Sequence, residues 1–153
     1  TIEETIYIDG IGFRFIDTAG IREAGDSIER IGIEKTFEKI DNASIIIYLY
    51  DSNITEDNQI ANQLDDLQRR GKILFNVANK IDVSNTEAVI PAAIKEEFKD
   101  VVHLEISAKD QFNIDALKEQ LIHQIKLKGT NQYDTIVTNS RHLEALQITL
   151  SQI

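Results

Sequence analysis

The sequence predicts an α/β domain built on a mostly parallel sheet. Three observations carry this: a continuous apolar run, Ser44 to Tyr50, whose buried-strand pattern is repeated from Ile73 to Ala78; helix-period stretches that alternate with them; and a β-prone pair of runs near the start. Strands that are apolar on both faces belong in sheets covered on each side, and alternation with helices implies parallel strands joined by right-handed crossovers.

Taken in order, Ile2 and Thr5 to Ile8, then Phe13, Phe15 and Ile16, flank Asp9-Gly10-Ile11-Gly12 and read as an antiparallel hairpin whose second strand ends at Asp17. Ile28, Ile31, Ile33, Phe37 and Ile40 recur at near-helical spacing, giving a helix from about Ser27 to Ile40 with Asp26 or Ser27 as its cap. The run from Ser44 to Tyr50 is a buried strand. Thr55-Glu56-Asp57-Asn58 opens a helix carrying Ile60, Leu64 and Leu67, which stops near Gly71. Ile73 to Ala78 is the next buried strand. Pro91 introduces a helix from Ala92 to Phe98, a strand spans Val101 to Ile106, and Ile114 to Leu127 forms a long amphipathic helix. Residues 1–128 are thus expected to form one domain, 129–136 a polar linker, and 137–153 the start of a helical region with Leu143, Leu146 and Leu150 in helical register.

Composition narrows the function classes. At 153 residues the chain is long enough to bury a core without staples, and with no cysteine it has neither disulfides nor thiolate metal sites. Its 26 acids against 16 bases give a formal charge of −10, which disfavours direct contact with a nucleic-acid backbone. No run approaches a membrane span and the start is not a basic leader, so a soluble protein is expected. His103, His123 and His142 lack metal-ligand spacing and are expected at the surface.

Three short motifs fall at the carboxyl ends of predicted strands, where open α/β sheets bind ligands. Asn79-Lys80-Ile81-Asp82 suits guanine: the Asp82 carboxylate can accept from ring N1–H and exocyclic N2–H, a donor pair adenine lacks. Asn79 can tie loops together, and the Lys80 stem can cover the purine face. A polar turn closing a strand would use the same residues. Ser107-Ala108-Lys109, 25 residues beyond Asp82, can offer backbone N–H groups to guanine O6. Asp17-Thr18-Ala19-Gly20 suits a terminal phosphate, with Asp17 holding Mg²⁺ through a water and the Gly20 N–H free to approach closely, although any strand-end turn favours such residues. Loss of that phosphate would release the segment behind it. Glu29, by position alone, is an acid at a helix N-terminus.

Together these stretches resemble the MnmE (TrmE) family of tRNA-modification GTPases. The likeness rests on Ile8-Asp9-Gly10, Ile16-Asp17-Thr18-Ala19-Gly20-Ile21-Arg22-Glu23, Ile28-Glu29-Arg30-Ile31-Gly32-Ile33-Glu34, Asn76-Val77-Ala78-Asn79-Lys80-Ile81-Asp82, Ile106-Ser107-Ala108-Lys109 and Thr138-Asn139-Ser140-Arg141-His142. Bacterial GTPases such as Der share the Asp17-Thr18-Ala19-Gly20-Ile21-Arg22 piece. The resemblance implies a G-domain fold, GTP and GDP as ligands, and Mg²⁺. It also implies K⁺-promoted pairing of two G domains, a flavoprotein partner of the MnmG type, and action on the wobble uridine of tRNA reached through the parent complex. It makes Glu29 the acid that orients the attacking water, since Ile21 follows Gly20 where Ras-like proteins place a glutamine.

The Gly-x-x-x-x-Gly-Lys-Ser/Thr phosphate loop has no match, because the sole Gly-Lys pair, Gly71-Lys72, is followed by Ile73. The segment alone is therefore expected to be inactive in hydrolysis, with Thr1 carrying no Mg²⁺. By the same likeness, a strand missing from the middle of the sheet should leave bare strand edges and a fragment that is unstable or associates. A non-catalytic α/β interaction module with vestigial motifs is the alternative from another class.

Overall fold

The structure, a computed structural model, describes residues 3–17, 37–84, 89–129 and 134–138. Glu3–Ile8 (β1) and Ile11–Asp17 (β2) form the expected hairpin, registered from Glu3 opposite Ile16 to Ile8 opposite Ile11. Asp9 and Gly10 make the turn at φ of 49° and 81°, the left-handed pair whose twist matches that of the flanking strands. The two apolar runs become Ile45–Asp51 (β3) and Ile73–Asn79 (β4), parallel and paired along their whole lengths. Val102–Glu105 (β5) adds to β4 in parallel and is shorter at both ends than the pattern suggested.

Helical residues 37–42 (α1) end at Asn42 rather than at Ile40, while the expected start of this helix lies outside the described residues. Asp57–Gln68 (α2) begins behind Glu56, whose N–H donates to Gln59 Oε1 at 3.0 Å. Ala92–Glu97 (α3) follows Pro91, and Ile114–Lys128 (α4) ends on Gly129 at φ 68°, a conformation that favours glycine.

The alternation of β3 splits the core between the two sheet faces. Ile45, Ile47 and Leu49 join Phe13, Phe15, Phe75 and Val77 under α4, while Ile46, Tyr48 and Tyr50 pack with Ile60, Leu64, Ile94 and Phe98 beneath α2 and α3. Both faces are covered, as the continuous apolar runs required.

The sheet runs β1-β2-β6-β3-β4-β5, and its middle differs from expectation. Asp134–Thr138 (β6), which straddles the expected linker and helical start, lies between β2 and β3 and is parallel to both. The gap predicted there is filled. Unpaired N–H and C=O groups on facing strand edges need partners, and Thr135-Ile136-Val137-Thr138 is β-branched throughout. The fill is partial: β6 pairs from Phe13↔Asp134 to Asp17↔Thr138 on one side, but only from Ile45↔Ile136 to Ile47↔Thr138 on the other.

Candidate functional site

Because β3, β4 and β5 are parallel, their carboxyl ends open onto one edge of the sheet. β4 delivers Asn79, then Lys80 in the left-handed region (φ 64°), then a single 3-10 turn over Ile81–Val83. The chain leaving β5 delivers Ser107, Ala108 and Lys109 into a tight loop closed by Ser107 and Phe112, each donating its N–H to the other's carbonyl at 3.2 and 3.0 Å. Gln111 and Asn113 take positive φ there, and Asn113 Nδ2 donates to the Glu105 carbonyl at 2.8 Å.

Side chains lock the two loops together. The Ala108 N–H donates to Asn79 Oδ1 at 3.0 Å, and the Ser107 hydroxyl donates to Asp82 Oδ1 at 2.8 Å while accepting from the Asp110 N–H at 3.1 Å. The backbone adds Ile106 N–H to the Ala78 carbonyl (2.8 Å) and Ile81 N–H to the Ile106 carbonyl (3.3 Å). Asn79 and Ser107 are polar groups buried to 3% and 1% exposure, so these bonds offset a desolvation cost that would otherwise destabilise both loops. Asp82 and Lys109 remain exposed. The result is a carboxylate held from behind by a hydroxyl and open in front.

The end of β3 supports the same loop. Asp51 forms an ion pair with Lys80 (Nζ to Oδ2, 3.1 Å), and Asn53 Nδ2 donates to the Lys80 carbonyl at 3.1 Å. Partial burial pushes the Asp51 carboxyl upward, but the Asn53 backbone N–H, Lys80 and the Asn53 side chain outweigh it and hold the group below the usual carboxylate range. Glu105 ties the far side, its Oε1 accepting from the Val89 and Ile90 N–H groups at 3.2 and 2.9 Å.

Of the residues predicted from sequence, Asn79, Lys80, Asp82, Ser107, Ala108 and Lys109 thus come together. Asp17 closes β2, and Thr18, Ala19, Gly20 and Glu29 lie outside the described residues. No group of His, Asp or Glu suited to a metal ion occurs among the described residues. His103, expected at the surface, is instead partly buried. Its Nε2 donates to the Phe98 carbonyl (2.9 Å), so Nδ1 accepts from Asn76 Nδ2 (3.1 Å), and desolvation lowers its pKa. His123 is exposed as expected.

A family profile described as 50S ribosome-binding GTPase matches residues 1–80. The chain belongs to this GTPase family. Among curated relatives, the tRNA modification GTPase MnmE of Flavobacterium johnsoniae is 40% identical over 157 residues, covering 100% of this chain and 34% of the relative. That of Cytophaga hutchinsonii is 40% identical over 149 residues, covering 97% and 31%, and that of Phocaeicola vulgatus is 42% identical over 156 residues, covering 99% and 31%. The chain spans about a third of the length of these relatives.

Sequence reasoning missed Asp51, Asn53, Glu105 and Asn113. Asp51-Ser52-Asn53, polar and directly behind an apolar strand, was a readable sign of an Asx turn at the same edge. Glu105 carried the weaker signal of an acid in a short strand between the apolar Leu104 and Ile106.

Proposed function

We propose that this chain is the guanine-reading and switch-bearing part of the G domain of a GTPase that modifies the wobble uridine of tRNA. The observation that carries the reading is the double tie between the strand-end loops, Asn79 to Ala108 and Asp82 to Ser107. Guanine presents N1–H and N2–H side by side, and a carboxylate has lone pairs enough to accept both while keeping Ser107. The Ser107 N–H is bonded to Phe112 and the Ala108 N–H to Asn79, which makes the Lys109 N–H the first backbone donor of the triplet for guanine O6. The Lys80 stem lies along the purine face.

The phosphate side rests on the family resemblance and on one topological fact. β2 is parallel to β6, β3 and β4, so Asp17 ends on the same sheet edge as Asn79. In this reading Asp17 holds Mg²⁺ through a water, Thr18, Ala19 and Gly20 meet the terminal phosphate, and Glu29 orients water. Mg²⁺ supplies charge neutralisation at the phosphates. K⁺, a second G domain, an MnmG-type flavoprotein, tRNA contacts made elsewhere in the complex and a cytoplasmic location follow from the resemblance alone.

The test is Asp82→Asn in the full-length protein. Loss of two charge-assisted bonds should weaken GDP binding about a hundredfold. Affinity for xanthosine diphosphate should rise, because its C2 carbonyl suits the new amide donor. Unchanged GDP affinity would contradict the guanine site.

A further inference from the structure

We infer that Asp51 and Asn53 are positioning residues that hold Lys80 in place for the base before nucleotide arrives; this rests on the guanine reading above. The need for such a device comes from the backbone. Lys80 adopts φ 64° and ψ 35°, a left-handed conformation that L side chains resist and that lysine has no local means to stabilise. Its side chain is long and rotamer-rich, so an unrestrained stem would have to be ordered by the nucleotide itself.

The end of β3 restrains both parts of the residue. Asp51 divides its carboxylate: Oδ1 accepts from the Asn53 N–H (2.9 Å) and Asn53 Nδ2 (3.2 Å), while Oδ2 faces the Lys80 ammonium at 3.1 Å. Asn53 Nδ2 reaches on to the Lys80 carbonyl at 3.1 Å, fixing the backbone at the strained position. The Ser52 N–H donates to the Asn79 carbonyl at 3.0 Å, so the clamp grips the motif one residue earlier as well. Exposure favours a working contact over a casual surface pair. The Asp51 side chain is 14% exposed, which limits screening of the ion pair, while that of Lys80 is 42% exposed, leaving part of the side chain open to a ligand.

The clamp therefore acts through Lys80 and touches no donor or acceptor that distinguishes one purine from another. Its removal should change how long a nucleotide stays, and leave which base is chosen to Asp82.

A double-mutant cycle in the full-length protein tests this, reading GDP and xanthosine diphosphate affinity and GDP dissociation rate, with thermal melting of the nucleotide-free protein as a fold control. Asp51→Asn, which keeps an oxygen for Asn53 but loses the charge, and separately Asn53→Ala, should each speed GDP dissociation about three- to tenfold. The ratio of the two nucleotide affinities should stay constant. In a Lys80→Ala background Asp51→Asn should have no further effect on dissociation, while Asn53→Ala, whose bond goes to the backbone carbonyl that alanine keeps, should retain part of its effect. An equal effect of Asp51→Asn with and without Lys80, an altered base preference, or unchanged dissociation in both single variants would overturn the clamp. Failure of the wild-type protein to bind GDP would overturn the guanine reading and the clamp with it, whereas wild-type binding with a flat cycle would remove the clamp alone.

Discussion

The β3–β4–β5 half of the sheet and the β1–β2–β6 half are built on different principles. In the first, neighbours in space are successive strands in the chain, β3 and β4 pair along their whole lengths, and the loops beyond them are bolted by side chains from Asn53, Asn79, Asp82 and Glu105. In the second, a local hairpin is joined to the rest through β6, a strand that arrives after α4 and meets β3 at only three residue pairs. The edge proposed to read the base is thus encoded by short-range sequence and held redundantly. The edge that ends in Asp17 depends on one distant, short strand.

The comparison breaks most readily at β6. Ile136 pairs with Phe15 on one side and Ile45 on the other, so Ile136→Pro removes a ladder donor in mid-sheet and should give the largest stability loss of these changes, above the roughly 1–3 kcal/mol of a single unpaired buried group. Hydrogen exchange should show β1 and β2 amides losing protection while those of β4 and β5 keep it. Uniform loss would mean that the two halves are one cooperative unit.

Asn79→Ala probes the other half. It leaves the Ala108 N–H without its acceptor in a buried site, at a cost of about 1–3 kcal/mol by urea denaturation, and should also weaken guanine-nucleotide binding. A stability loss with unchanged nucleotide affinity would separate the tie from the site.

The smallest effect is expected from His103. Desolvation lowers its pKa from the ordinary 6.5, against the Phe98 bond that raises it, and the Lys95 charge lowers it further. The unfolded chain therefore takes up this proton first. The stability present above the ordinary imidazole pKa is lost as pH falls through that value towards the folded one. His103→Asn should flatten the pH dependence of stability in that window; an unchanged slope would assign it to other groups.

Much of this was legible in the sequence, for reasons that differ by element. β3 and β4 announce themselves because burial on both faces leaves them almost wholly apolar, Asn76 being the polar interruption inside β4, and α4 because Ile114, Leu117, Leu121 and Ile125 keep helical spacing. The loops carrying Asn79, Asp82 and Ser107 stood out because a guanine site would demand particular donors and acceptors at strand ends. β6 was missed although its β-branched run was visible, since nothing local says which strands a short segment behind a polar stretch will join. Asp51 and Asn53 were missed because an Asx turn looks the same whether or not it holds a neighbouring loop.

The most direct measurement follows backbone amide chemical shifts of the full-length protein during titration with GDP and, separately, ADP. GDP should shift Asn79 to Asp82 and Ser107 to Asn113 at concentrations where ADP leaves them unmoved. Equal responses to the two nucleotides, or GDP-dependent shifts that bypass both loops, would contradict a guanine site at the ends of β4 and β5.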